Sequence, residues 1–361
     1  MGRGDRKDGA VVQALSPITF GIAALSLAVS AVGVWVSIRI AERVGVLDLP
    51  NERSSHSLPT PRMGGVPMVA AAALAFGGWV FLAAGEANAQ RILPYTFLFA
   101  LAMFLLGFYD DLRNLSPLFR FLVQFVSALL LLVFLGPLLP EISLWIWVFP
   151  KWAWVVPGVF WVVWMLNLYN FMDGIDGLAG GEAAVASSFF FLVFAWYGQS
   201  GWAVANLVVA AASMGFLVHN WPPAKIFMGD GGSMFLGAFY GMQSVAAALS
   251  TPLPFLVLVL PFANFILDTT FTLSRRMLGG EKWYQAHRSH VYQRMTGLGM
   301  THGKVTSIEL LVAVASCAAA AACIPAGPAV RIALVVSVVA AIVCIGIWVR
   351  VKEQTLKVGT G

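Results

Sequence analysis

Eleven long apolar runs constrain this chain more than any motif in it, at about 16–38, 66–85, 93–109, 117–139, 153–171, 183–199, 201–219, 232–250, 253–273, 305–325 and 329–349. A helix needs about 20 mostly apolar residues to cross a bilayer, so the runs predict eleven transmembrane helices, the third and sixth of them short. They are continuous, whereas barrel strands alternate with a period of two. The step from Gly198 to Gly201 is so brief that the sixth and seventh runs read as a tight helical hairpin. Only 11% of the 361 residues are charged, against about 25% in an ordinary soluble domain. The expected fold is an all-α integral membrane protein, one polytopic domain over 1–361 with a short N-terminal tail at 1–15. The first run is long enough to span and is expected to be retained, not cleaved as a signal peptide. Cys317, Cys323 and Cys344 lie inside the last two runs without a C-x-x-C pair. They are expected to pack as small apolar residues, with no zinc site or disulfide framework.

Lys and Arg concentrate on cytoplasmic loops. Assigning alternate loops to two sides puts 16 of the 22 basic residues on one side, which is therefore expected to be cytoplasmic. The N-terminal tail dissents with Arg3, Arg6 and Lys7, but Asp5 and Asp8 lie among them. The N-terminus is then outside and the C-terminus inside. The unusual polar clusters, at 48–65, 110–116, 167–177, 219–233 and 275–304, fall on the cytoplasmic side, and the last is its longest loop. A one-sided polar surface fits an enzyme with a cytoplasmic substrate. A transporter should show polar residues near the midplane, in paired broken helices of two related halves.

Each cluster permits specific chemistry. Asp110 and Asp111 end an apolar run. Helical neighbours point about 100° apart, so one can face a reaction centre while the other holds a metal or a supporting partner. A helix C-terminus disfavours negative charge, which argues against a mere acidic end. Asn167, Asn170, Asp173 and Asp176 recur every three residues where another run leaves the membrane. Gly174 and Gly177 allow a turn or a close backbone approach. This set can bind a hard cation or a nucleotide's ribose and phosphates. Asp230 opens a Gly-rich step into the next run, as a helix N-cap, a phosphate or metal contact, or both. Asn220, Lys225 and Phe227 precede it, and Phe227 could stack on a base or anchor at the interface. The step is not a Walker A sequence.

The loop at 275–304 carries Arg275, Arg276, His287, Arg288, His290, Arg294, His302 and Lys304. Arg and His suit pyrophosphate oxygens, although a basic loop also meets anionic lipid. His302 has no evident partner. Arg53, His56 and Arg62 in the Pro-rich segment at 48–65 are further candidate phosphate donors. Asn264 and Asp268 lie inside the ninth run, where an ionisable residue is functional or paired by default. Arg275 and Arg276 are their plausible partners.

Together these pieces resemble the polyprenyl-phosphate N-acetylhexosamine-1-phosphate transferase family, which includes phospho-N-acetylmuramoyl-pentapeptide translocase and the enzymes that start O-antigen and teichoic-acid linkage synthesis. The resemblance runs from about Asp48 to Arg294. It rests on Asp-Asp at 110–111, N-x-x-N-x-x-D-G-x-D-G-L at 167–178, P-P-A-K-I-F-M-G-D-G-G-S at 222–233 and the His motif at 287–290. It implies Mg2+ (or Mn2+), a cytoplasmic UDP-linked sugar and an undecaprenyl-phosphate acceptor, with release of UMP. It places the protein in a bacterial inner membrane at the start of a cell-surface polysaccharide. By position, the resemblance assigns Asp230 to the metal, with Asp110 and Asp173 as further candidate ligands. Asp110 or Asp111 would act on the lipid phosphate, and Asp173 and Asp176 on nucleotide or metal. Phe227 would pack on the base, and His287 and His290 would contact phosphates. Where the muramoyl-pentapeptide branch carries His-His-His, this chain has His-Arg-Ser-His, closer to the O-antigen-initiating branch.

Elementary chemistry points the same way. Joining two anionic phosphates is opposed by charge, and a divalent cation with Arg and His donors would neutralise it. An acceptor with a lipid tail explains polar chemistry built on helix ends. The partners expected are the nucleotide sugar, the lipid phosphate and membrane lipid, with no nucleic acid; a homodimer is left open. The alternative in another class is a transporter or lipid flippase. The CDP-alcohol phosphotransferases need D-G-x-x-A-R, and the stretch from Asp173 to Gly177 lacks the Ala-Arg.

Overall fold

The computed structural model describes residues 15–45, 47–48, 59–82, 92–136, 142–144, 147–149, 151–282 and 287–359. Twelve helices organise them. They are α1 (Pro17–Val44), α2 (Gly65–Leu82), α3 (Leu93–Arg113), α4 (Pro117–Leu135), α5 (Val155–Met172) and α6 (Leu178–Trp196). Then follow α7 (Ser200–Asn220), α8 (Gly229–Ser250), α9 (Phe255–Leu278), α10 (Val291–Gly297), α11 (His302–Cys323) and α12 (Pro328–Gly359). Around Pro261, α9 tightens into a 3-10 turn at Leu260–Phe262, as expected where a proline removes a backbone donor. Two short antiparallel pairings complete the described residues: β1 (Leu47–Asp48) with β2 (Thr60–Pro61), and β3 (Ile142–Leu144) with β4 (Trp147–Phe149).

Ten of these helices are long and apolar enough to cross a membrane. The protein is an all-α, multi-pass membrane protein. The eleventh long helix, α8, falls outside that set because its glycines, serines and Gln243 make it less apolar, which a helix wrapped by others can be: 19 of its 22 residues are buried. Packed against α3 and α5, it can accommodate Asp230, Gln243, Ser244 and five glycines. Gln243 Oε1 accepts from Asn206 Nδ2 on α7 at 2.7 Å. At the other extreme, only 6% of the apolar core of α12 is buried within the chain. The two short runs become full helices. Beyond its apolar stretch α3 continues through Asp110 and Asp111, and α6 begins at Leu178, because its small residues are packing surface. A Cβ on Gly181 would lie 2.7 Å from Leu310 of α11. The tight hairpin between α6 and α7 forms as expected, with Gly198 at φ 67°.

Helix direction then brings one end of α1, α3, α5, α7, α9 and α12 together with the starts of α2, α4, α6, α8 and α11. The described polar clusters gather at this end. The loop expected at 275–304 is shorter than its span: α9 runs to Leu278, α10 occupies Val291–Gly297 and α11 begins at His302.

Candidate active site

The chain after β2 is sewn to the entry of α8. Phe227 N–H donates to the Pro61 carbonyl at 2.9 Å, and Gly64 and Gly65 donate to the Phe227 and Met228 carbonyls at 2.8 and 2.9 Å. Met63 has φ 84°, an unusual conformation for a side chain of its size, and turns the chain behind Arg62. Arg62 is thereby held against α8, its Nη2 2.9 Å from Asp230 Oδ1 and 3.1 Å from Asp111 Oδ1.

Helix α8 lacks a side-chain cap of its own: Met228 occupies the N-cap position and Asp230 lies in the first turn. The cap comes from α3. Asp111 accepts from the Asp230 and Gly231 N–H groups at 3.0 and 3.1 Å, so an anion from another helix meets the positive end of α8. The N-cap role open to Asp230 is therefore filled by Asp111. Glycine permits the approach. Gly229 has φ 79°, and a Cβ there would lie 2.8 Å from Asp111 Oδ2. Asp110, one position earlier on α3, accepts from Leu115 N–H at 2.7 Å and from Arg120 of α4. Arg120 Nη1 also reaches Asp230 Oδ2 at 3.1 Å. The result is a chain of alternating charges, Asp111–Arg62–Asp230–Arg120–Asp110.

Asp173, just past α5, adds a fourth carboxyl. Burial, then the charges of Asp230 and Asp111, push it up to about 7 against the opposing pull of Arg62. Asp110, Asp111 and Asp230 already outnumber the two guanidiniums by one negative charge, and an ionised Asp173 would add a second. Among the described residues no ready group of three His, Cys, Asp or Glu ligands is assembled. The charge excess and the all-oxygen donors nevertheless fit a hard divalent cation.

The other expected site residues divide. Asp176 does not join the carboxylate cluster. Its Oδ2 accepts from Ala224 N–H at 3.0 Å and its Oδ1 lies 3.1 Å from His302 Nδ1. Burial raises this carboxyl, but the His302 and Ala224 hydrogen bonds outweigh it and hold it below its ordinary value. His302, expected to be without a partner, thus has one. Asn220 spans two loops, accepting from Gly177 N–H at 2.9 Å and donating to the Ile226 carbonyl at 2.8 Å. Asn167 donates to Gln124 of α4 and Asn170 to Ser233 of α8, at 2.8 and 3.0 Å. Lys225 and Arg288 are exposed, Phe227 is half-buried, and Arg53 and His56 lie outside the described residues.

A histidine centre adjoins the carboxylates. Tyr292 of α10 donates to the Phe171 carbonyl at 2.9 Å. The Phe171 ring lies 6.4 and 6.2 Å from the His287 and His290 rings, which stack on each other at 4.9 Å. Asp268 organises this centre. It accepts from Val291 and Tyr292 N–H at 2.9 and 3.2 Å, and its Oδ1 lies 3.2 Å from His290 Nδ1. The partners expected for Asp268 were Arg275 and Arg276, but they turn to the Ser289 carbonyl and Glu281 instead. Burial, then the charges of His290, Arg276 and Arg275, push His287 down to about 4, with Asp268 opposing. His287 is therefore neutral at pH 7. Arg294 makes a bidentate pair with Glu353 of α12 at 2.8 and 2.6 Å.

Such an arrangement defines a polytopic membrane protein whose helix ends build an anion-handling centre of carboxylates, arginines and histidines. The profile of glycosyl transferase family 4 matches residues 93–248. The chain is 32% identical over 280 residues to the probable undecaprenyl-phosphate N-acetylglucosaminyl 1-phosphate transferase of Bacillus subtilis, covering 73% of each. It is 31% identical over 307 residues to the decaprenyl-phosphate N-acetylglucosaminephosphotransferase of Mycobacterium tuberculosis (strain H37Rv), covering 75% of this chain and 74% of the relative. To the undecaprenyl-phosphate alpha-N-acetylglucosaminyl 1-phosphate transferase of Escherichia coli (strain K12) it is 25% identical over 278 residues, covering 73% and 72%. The chain belongs to glycosyl transferase family 4.

Proposed function

We propose that this protein transfers an N-acetylhexosamine-1-phosphate from a UDP-sugar to undecaprenyl phosphate, releasing UMP, at the cytoplasmic face of a bacterial inner membrane. The observation that carries it is the cluster of Asp110, Asp111, Asp173 and Asp230 with Arg62 and Arg120, set at one end of an otherwise apolar bundle. A soluble phosphate donor can reach that end from water while a lipid-tailed acceptor reaches it from the bilayer.

Asp230 and Asp110 would hold Mg2+, which supplies charge neutralisation to the donor pyrophosphate. Arg62 and Arg120 are placed to exchange their carboxylate partners for phosphate oxygens. Neutral His287 can donate a hydrogen bond without repelling a metal. The acceptor's second pKa is about 6, so little basicity is needed to ready it. Asp173, held near neutrality, is suited to take its last proton. Both oxygens of Asp110 and both of Asp111 already accept hydrogen bonds. That blunts either carboxylate as a nucleophile and favours direct attack by the lipid phosphate. Purified protein given UDP-N-acetylglucosamine and undecaprenyl phosphate should form a diphosphate-linked lipid and UMP, lose this with EDTA and regain it with Mg2+. Asp230→Asn should abolish it in folded protein. No transfer to lipid from any UDP-N-acetylhexosamine would overturn the proposal.

A further inference from the structure

Deeper in the bundle, Glu182 of α6, Asn264 of α9 and Glu309 of α11 meet at 0, 2 and 6% exposure. Asn264 Nδ2 lies 3.3 Å from Glu182 Oε2 and 3.2 Å from Glu309 Oε2 and donates to both. Neither glutamate joins an ion pair among the described residues. Two buried atoms are left over: Glu182 Oε1 and Asn264 Oδ1 have no hydrogen-bond partner. As an ionised carboxylate and an amide carbonyl both are acceptors, so what is missing is a hydrogen. A proton on Glu182 Oε1 can donate to Asn264 Oδ1 while Asn264 Nδ2 donates to Glu182 Oε2. Acid and amide then close a ring of two hydrogen bonds. Turning the amide over would require a proton on each glutamate, so at least one is needed either way.

We infer that Glu182, Asn264 and Glu309 form a proton-binding site inside the membrane, with the proton carried by Glu182 and shared with Asn264. Two buried carboxylates on one amide, without a cation, would be too costly. A metal ion is the rival occupant, but a hard cation takes six or more oxygens, and the fully buried idle atoms here number two. The site lies just beneath the candidate active site. Glu182 is four residues beyond Leu178, Asn264 four before Asp268, and Glu309 seven beyond His302. At 1.5 Å per residue these are about 6, 6 and 10 Å of helix.

The surroundings offer an ionised Glu182 no relief. The titratable groups that interact with it are Tyr169 of α5, Tyr240 of α8 and Cys317 of α11, and those that interact with Glu309 are Asp268 and Tyr292, none of them a cation; the Tyr169 and Tyr240 hydroxyls donate to the Ala179 and Ala183 carbonyls instead. From α7 comes only His219, which is turned to the Ala31 carbonyl. The proton therefore holds α6, α9 and α11 together, and its loss sets negative charges against one another under the residues that position His290 and Asp176.

Infrared difference spectroscopy on the full chain in lipid nanodiscs tests this without reference to sugar transfer. At pH 7, Glu182→Gln should remove a protonated-carboxyl C=O band and leave the carboxylate bands unchanged, since the Gln amide replaces the O–H donor. Loss of a carboxylate band, or loss of the acid band in Glu309→Gln but not in Glu182→Gln, would overturn the assignment. If Glu182→Gln does not fold, the unsubstituted protein still decides. An acid band that persists after Asp173 has ionised, well above the range of an ordinary carboxylic acid, supports the site, and its absence at pH 7 refutes it. A thermal midpoint raised by NaCl but not by choline chloride at equal ionic strength would place sodium in the site and also refute it.

Discussion

Asp173 binds its proton more tightly in the folded protein than in the unfolded chain. Its carboxyl is pushed up to about 7 by burial and by Asp230 and Asp111. Between its ordinary value and about 7 the folded state holds more protons, so this group makes stability fall as pH rises. Asp173→Asn removes that loss. The variant should be inactive yet more stable at pH 8, by roughly 1–2 kcal/mol after screening by the arginine nearby. Thermal unfolding from pH 4 to 8 should show the two proteins converging in acid and separating as pH rises. Parallel curves would remove Asp173 from the pH dependence. The acidic residues of this site are legible in the sequence because a carboxylate at the end of an apolar run is costly unless it has a charge to meet there. Arg120 is not, because the positive-inside rule already accounts for an arginine at that position. Its role needs the turn at Ser116 and Pro117, which brings it back to Asp110 and across to Asp230. The pairing of Asp176 with His302 is hidden too, because it is made between helices far apart in the chain.

At the scale of the element, α8 is the frame of the site. Its run at 232–250 reads as one more span, but hydropathy does not say which helix is wrapped by the others. Its glycines carry that information: they admit α3 and α2 where a Cβ would collide. Gly107 of α3 meets the Asp230 carbonyl, with a Cβ placed 2.4 Å away. Gly229→Ala tests how far the site depends on this fit. The substitution asks alanine to adopt φ 79° and sets its Cβ 2.8 Å from Asp111 Oδ2. A destabilisation of about 1–2 kcal/mol is expected from the backbone alone. Displacement of Asp111 from the α8 N-terminus should then lower kcat at least tenfold, with a smaller change in KM for the nucleotide sugar. Unchanged kinetics in a variant that is merely less stable would show that capping by Asp111 does not position Asp230.

For the whole molecule, one-sidedness decides what the protein can meet. The even-handed alternation of helices places Asp110, Asp173, Asp230, His290 and Arg294 at one end, with Lys225, Lys282 and Arg288 exposed around them. Gly327, between α11 and α12, is exposed at the other end, where a Cβ would touch nothing within 4 Å. By the positive-inside rule the basic end is expected in the cytoplasm, the orientation that the proposed transfer requires. A UDP-sugar made in the cytoplasm can reach the carboxylates only in that orientation. Single cysteines at these positions, in a background lacking Cys317, Cys323 and Cys344, give a direct test. Gly327→Cys should react with a membrane-impermeant thiol reagent in intact cells. Lys282→Cys should be protected there and become reactive in inverted vesicles. Both substitutions lie away from the carboxylate cluster, so transfer activity should survive and report that the labelled protein is folded. The reverse pattern would place the carboxylates and histidines outside the cell. A cytoplasmic nucleotide sugar could then not be the donor, even if the same residues handled some other phosphate.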